Sequence, residues 1–398
     1  MILTKEMVII MKKTMVSQPL YFKRFMCTCD KCVYNCCRHN WQINIDKNTY
    51  NKYKKLEKSI SKEFLDKINI VSKDPFNAII VTNNDGSCHF LDEKGFCSIQ
   101  LKLGYEYLSR TCRIHPRSIS YIDGVFETFL ELSCEEAARV VLFDEEPMRF
   151  EQAVLEPDGS GNVIPNRALT ADKYTPIKNA VGLFSKLRIT STEIIQSRNY
   201  QLRVRMLMLC ILIEQIDQLF SAKKDLDAFK AADEFLVLLG TGVYDSIAGQ
   251  MPDGIEMDFI IVLDILKDMS AKDDERFRGI LAQSLKGHGI SFDSFELPDA
   301  FAGGYKSSYK EFFGDKEHIF ENYIVNHIWM EGFPFNFNKE SGVMANYADL
   351  LAKYNLVEFL LVGICKFHGK FDEWELINCV SAFGRRYDHS LTGYLMME

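Results

Sequence analysis

The chain has no apolar run long enough to cross a bilayer. Its richest stretch, Met206 to Ile213, falls far short of the ~20 residues a spanning helix needs and is soon followed by Glu214 and Asp217. The start also lacks an export signal: in MILTKEMVIIMKKTMVSQ the longest apolar run is Met7 to Met11, shorter than the ~7–15 residues of a signal-peptide core. These absences predict a soluble, cytoplasmic protein with no membrane partner. An excess of positive charge is missing too. The 47 Lys+Arg stand against 55 Asp+Glu, a net charge of -8, which argues against nucleic acid as a partner and suits basic protein segments better. No internal repeat or low-complexity segment occurs.

What the sequence does have is cysteine, unevenly spread. Of its 12 cysteines, Cys27, Cys29, Cys32, Cys36, Cys37, Cys88, Cys97, Cys112 and Cys134 precede residue 135, and only Cys210, Cys365 and Cys379 come later. A chain of 398 residues can bury an ordinary core without disulfides. In a reducing compartment thiols are kept for metals or catalysis. The early cysteines therefore mark a metal or iron-sulfur module, whereas the late three lie in apolar stretches and read as small packed hydrophobes.

The fold class expected is mainly α: a cysteine-rich N-terminal module with a few short strands, then a helical C-terminal half. Residues 1–20 read as a flexible leader, with the true start at either Met1 or Met11; residues 21–150 form the cysteine module and 151–398 the helical domain. The boundary falls in Glu146 to Ala171, where Pro, Gly, Asp and Asn concentrate as a turn-rich loop or hairpin. Apolar spacing predicts one amphipathic helix over Thr49 to Ile70, and β-branched residues predict a strand from Phe76 to Thr82 that enters the Asn83–Gly86 turn. Thr190-x-x-Glu193 reads as a capping box that opens a helix through Phe220. Further helices are expected over Leu226 to Leu239, Asp258 to Met269, Lys316 to Trp329 and Met344 to Phe367.

The cysteine pattern is Cys27-x4-Cys32-x3-Cys36-Cys37, then Cys88-x8-Cys97, Cys112 and Cys134. Thiolates are soft donors that suit both zinc and iron-sulfur clusters, and spacing leaves the two open, as it leaves open one centre or two. Metal-free buried thiols are the plain alternative.

Around these thiols stand Cys36-Cys37-Arg38-His39-Asn40-Trp41, Gly86-Ser87-Cys88-His89-Phe90-Leu91, Gly95-Phe96-Cys97-Ser98, Leu108-Ser109-Arg110-Thr111-Cys112-Arg113 and Leu132-Ser133-Cys134-Glu135. As a set they resemble the flagellin lysine-N-methylase family, whose cysteine region is similar to YkgJ-type zinc or iron-sulfur cluster proteins. Residues 21–140 carry the likeness most strongly, and Glu321–Asn326 and Phe333-Pro334-Phe335 carry it more weakly. The resemblance implies an enzyme that moves a methyl group from S-adenosylmethionine to lysine amines of flagellin. It also implies a 4Fe-4S cluster or zinc held within Cys27, Cys32, Cys36, Cys37, Cys88, Cys97, Cys112 and Cys134. Cys29 has no counterpart in the family, and His115 stands where an aromatic residue is expected. The competing reading is a non-catalytic zinc or iron-sulfur module whose helical half docks a partner protein.

Two other signals are discounted. Leu236 to Gly242 resembles a cofactor-binding glycine turn, but Tyr244 occupies the place of its third glycine, so it reads as a helix end. Cys32-x3-Cys36 opens like a radical S-adenosylmethionine motif, yet His39 stands in its third position. Arg113, His115 and Arg117 flank Cys112 as possible tuning charges or as a plain charged loop. Arg385 to His389 reads as an ordinary surface segment. No residue is assigned as base or as cofactor contact; a lysine-sized cavity lined by acidic or tyrosine side chains is expected near the junction of the two halves.

Overall fold

The computed structural model describes residues 9–10, 14–28, 31–38, 43–73, 76–122, 124–155, 162–163, 165, 167–169, 180–245, 249, 258–271, 274–336 and 342–387. Two strands, β1 (Ile9–Ile10) and β2 (Thr14–Pro19), come first. The flexible leader expected over residues 1–20 is thus corrected at its C-terminal end, because Thr14–Pro19 is held in a sheet between two other strands.

The cysteine-rich region starts from a local signal. Asp46 ends β3 (Asn44–Asp46) and caps α1 (Lys47–Lys54), accepting the Thr49 N–H at 2.9 Å and the Thr49 hydroxyl at 2.8 Å. The single helix expected over Thr49 to Ile70 is instead α1, α2 (Lys58–Leu65) and the start of β4 (Ile68–Lys73). Its apolar spacing still works, since Tyr53, Phe64 and Ile68 all face one small core. β5 (Phe76–Ile80) pairs with both β3 and β4 and leads into the expected turn, where Gly86 adopts φ +79° and its N–H meets the Asn83 carbonyl at 2.9 Å.

Short helices α3 (Ser98–Leu103) and α4 (Arg110–Ile114) follow, then a hairpin of β6 (Arg117–Ile122) and β7 (Val125–Leu130), and α5 (Glu135–Leu142). The Glu146 to Ala171 stretch is more than a loop: it holds β8 (Phe150–Leu155), β9 (Asn162–Val163) and β10 (Arg167–Leu169). A five-stranded sheet results, in the order β10-β6-β7-β2-β8.

Nine helices are described beyond it. They are α6 (Ala180–Ile195), α7 (Leu202–Ser221), α8 (Asp225–Gly240), α9 (Phe259–Ser270), α10 (Glu275–Gly287), α11 (Phe301–Phe313), α12 (His318–Glu331), α13 (Val343–His368) and α14 (Glu373–Tyr387). The capping-box reading of Thr190 and Glu193 is overturned, since both lie inside α6. The neighbouring hydroxyls bond backward along the helix, Ser191 to the Leu187 carbonyl at 2.7 Å and Thr192 to that of Arg188 at 2.9 Å. Past Gly240, the helix end at Gly242 takes φ +73°, as expected for a glycine beyond a helix rather than a cofactor turn.

Helix α12 joins the two parts. Its buried Asn322 donates to the Asp144 carbonyl at 2.7 Å, and Asn326 donates to the Leu130 carbonyl at 3.1 Å while accepting from the Tyr21 hydroxyl. On its other side buried Glu321 takes Arg205 at 2.7 Å and Arg198 at 2.8 Å. One hydrophobic core therefore runs from Tyr21 and Phe129 through α12 to Phe383. The fold is mainly α with strands in its N-terminal part, and among the described residues no helix is long and apolar enough to cross a membrane.

Candidate metal centre

Each early cysteine sits where a local turn fixes it. Cys36 and Cys37 open a 3-10 turn, and the Cys37 carbonyl receives the Cys88 N–H at 2.7 Å. Isolated bridges pair Cys88 with Thr82 and Cys97 with Leu91. Cys97 immediately precedes α3 and Cys134 precedes α5, while the N–H of Cys112 bonds the Ser109 hydroxyl at 3.2 Å. Thr28 and Cys32 share a hydrogen bond at 3.0 Å.

Electrostatically the thiols fall into two neighbourhoods. Cys36, Cys37, Cys88, Cys97 and Cys112 act on one another and pack against the small core of Tyr53 and Phe64, Cys36 excepted. Cys27, Cys32 and Cys134 form the other, with Cys134 against the large core, and Cys36 acts on both. No disulfide joins any two of the eight. Among the described residues no three or more Cys, His, Asp or Glu side chains stand in an arrangement that holds a metal ion as placed. Cys29 and His39 lie outside the described residues.

Burial pushes the Cys88 thiol up to about 11, and those of Cys112 and Cys134 up to about 12. Cys36 moves the other way, to about 7, because the Cys37 thiol donates a hydrogen bond to it and Arg385 lends positive charge. Cys37, the donor in that bond, is pushed up by it and by burial. The donor chemistry fits a thiolate-bound zinc or iron-sulfur group: soft, mutually interacting sulfurs, all but the exposed Cys27 at least partly buried, whose protons a metal would displace.

Arg385 corrects the surface-segment reading of Arg385 to His389. From α14 its Nε donates to the Ser133 carbonyl at 2.8 Å and its guanidinium also bonds the Tyr34 carbonyl, inside the Cys32–Cys36 loop. Beside it, Arg276 of α10 stacks over the Tyr34 ring at 3.8 Å and lies 3.6 Å from the Glu135 carboxylate, which accepts the Tyr34 N–H at 2.8 Å. Asn378 and Ser381 of α14 hold Arg276 from behind, each at 2.7 Å. The helical half thus clamps the cysteine loop. The sequence offered only a basic pair at the end of an amphipathic stretch as a signal. Arg117 lies over the Phe25 ring at 4.8 Å, a packing contact. Cys365 and Cys379 are buried in the helical core and Cys210 packs against it.

Two cavities matter. One of about 270 Å³ opens where the halves meet, between Tyr21, Asp144, Glu146 and Asn322. The larger, about 930 Å³, is lined only by the helical half, including Arg203, Phe259, Tyr305 and Tyr309. The junction, where a cavity was expected, offers Asp144, Glu146 and one tyrosine, Tyr21, whereas the cavity of the helical body carries Tyr200, Tyr305 and Tyr309.

Comparison with known proteins follows the same division. Residues 188–396 match the family model described as the FliB lysine N-methylase C-terminal domain. Residues 28–136 match the CxxCxxCC model, described as a candidate zinc- or iron-chelating domain. Lysine-N-methylases of Salmonella typhimurium and Salmonella choleraesuis are each 23% identical over 393 residues, covering 96% of this chain and 93% of theirs. The Flagellar biosynthetic protein FliU of Salmonella muenchen is 30% identical over 141 residues, 35% of this chain and 83% of that protein. No solved structure matches the chain. The match to the C-terminal model covers more than half of the sequence and includes both arginines of the clamp, and on it the chain belongs to the FliB lysine N-methylase family.

Proposed function

We propose that the protein is an S-adenosylmethionine-dependent lysine N-methyltransferase of the cytoplasm that acts on flagellin and carries a cysteine-bound 4Fe-4S cluster. The observation that carries this reading is the family match over residues 188–396, next to a thiol-rich region of the metal-chelating type. Flagellin as substrate is supported by the flagellar name of a relative. The proposed ligands are drawn from Cys27, Cys32, Cys36, Cys37, Cys88, Cys97, Cys112 and Cys134, with zinc as the other occupant the same donors would accept. We divide the chain accordingly into a cysteine unit over 21–150 and a helical unit over 151–398, sharing the core around α12.

S-adenosylmethionine supplies an electrophilic methyl on a sulfonium. The protein must bring a neutral lysine amine in line with it, so that an N–C bond forms as the S–C bond breaks and the amine proton passes to a base or to water. Excluding water from that meeting point favours the neutral amine. The test is to incubate the anaerobically reconstituted protein with flagellin and S-adenosylmethionine and look by mass spectrometry for single methyl additions on lysine, with iron and zinc measured in the same preparation. Additions that require the donor support the reading. Their absence from protein of verified metal content overturns it in favour of a non-catalytic docking module.

A further inference from the structure

The cavity of about 930 Å³ in the helical body has no role in the metal centre, and its chemistry is unusual for this protein. It is lined by residues of α11, by Phe259 of α9 and by the turns that open α7 and α12. Its aromatic wall is built edge to face, the Phe259 and Tyr305 rings 4.9 Å apart at 63°. Behind Tyr305 lies Glu358 of α13, a carboxylate with no solvent exposure, which accepts the Tyr305 hydroxyl at 3.0 Å and pairs with Arg203. The buried Tyr354 side chain lies against the same carboxylate. A buried ion pair is a poor way to stabilise a fold, because both charges lose their water. Of the five basic side chains in the cavity's lining, Arg198, Arg203 and Lys316 pair with carboxylates, and Lys306 and Lys310 stand exposed on α11.

We infer that this cavity is the S-adenosylmethionine site, with aromatic rings for the adenine and sulfonium and basic rim side chains for the carboxylate. The assignment rests on the methyltransferase reading and gives its cofactor a place. Three requirements converge here. A sulfonium is drawn to ring faces, as quaternary ammonium ligands are. A planar base stacks on tyrosine. The carboxylate needs cations, and Lys306 and Lys310 stand exposed along one side of α11 at the rim. The volume lies within the ~300–1,000 Å³ range of ligand pockets, whereas the junction cavity of about 270 Å³ lies below it. The end of α8 offers no glycine-rich turn to compete. Tyr305 is here a binding residue, and Glu358 a positioning residue that acts through it.

The test uses the full chain, prepared anaerobically, with binding of S-adenosylmethionine followed by calorimetry and its contact site mapped by ultraviolet cross-linking and peptide analysis. Cross-links are expected in residues 258–271 or 301–317. Tyr305→Ala should weaken binding about tenfold. Lys306→Glu, at an exposed position that leaves the core untouched, should weaken it severalfold, and more at low salt than at high. Tight binding in both variants, or cross-links that map elsewhere, overturns the site and leaves the methyltransferase reading standing. A wild-type chain that binds no S-adenosylmethionine overturns both.

Discussion

The small core around Tyr53, Phe64, Ala78 and Phe90 and the large core around α12 and α13 are built on different principles. The first numbers few buried side chains, and thiols complete it: Cys88 belongs to it while Cys37, Cys97 and Cys112 pack against it. The second runs from the sheet through nearly every helix and holds Cys365 and Cys379 as ordinary packed residues. A core as small as the first rarely stabilises a fold unaided and usually needs a staple. The second needs none. Metal, on the proposed reading, is a structural requirement of the first region, and touches the second only at Cys134, which packs against it.

The largest effect should come from removing the metal. Chelation, or Cys112→Ser, should cost residues 36–114 several kcal/mol, as loss of a structural metal does. Hydrogen exchange should then show that region opening while α12 and α13 keep their protection. Uniform protection across both regions would break the comparison at its root.

Gly363→Ala should strike the other core. A methyl there would stand 2.2 Å from the Ser284 hydroxyl and 2.6 Å from its carbonyl, because α10 and α13 approach backbone to backbone. Overpacking of this kind costs about 3 kcal/mol, and denaturant melting should register it with metal content unchanged. Parallel loss of metal would mean the two cores are one cooperative unit.

The smallest effect is a pH dependence. Burial against Phe359 and Tyr305 lowers His288 from 6.5 to about 4, with its Nε2 bonded to the Phe359 carbonyl at 2.9 Å. A folded value below the unfolded one means that this stability is complete above pH 6.5 and is lost as pH falls toward 4. The loss should reach about 1 kcal/mol by pH 5.5. Melting curves of wild type and His288→Gln should diverge in slope across that window, and identical slopes would reject the assignment.

What the sequence revealed depended on how local the cause was. Helices α8, α9, α12 and α13 were legible because their apolar spacing runs unbroken. The five-stranded sheet was not, since β2 finds its partners more than a hundred residues on and buried Ser118, Ser120 and Thr128 blur the alternation of β6 and β7. Thr190 and Glu193 have the spacing of a cap, yet a helix already formed around Leu183 and Leu187 carries them in its interior. The cysteines announced themselves by spacing, whereas Arg276 and Arg385 act through folding and had no nearby signal. The tyrosines of the large cavity were likewise invisible: Tyr305 and Tyr309 share α11, but Tyr200 joins them from a turn about a hundred residues earlier.

The bond between Arg385 and the Tyr34 carbonyl spans 351 residues, and that separation is also an interval of time. At the ~5–20 residues per second of protein synthesis, the cysteine loop waits roughly 20–70 s between its own emergence and that of the arginine that anchors it. Until then its thiols are held by none of the contacts from α14. Any metal inserted with the loop in its final shape is therefore inserted late, into a chain whose helix α14 has already been made.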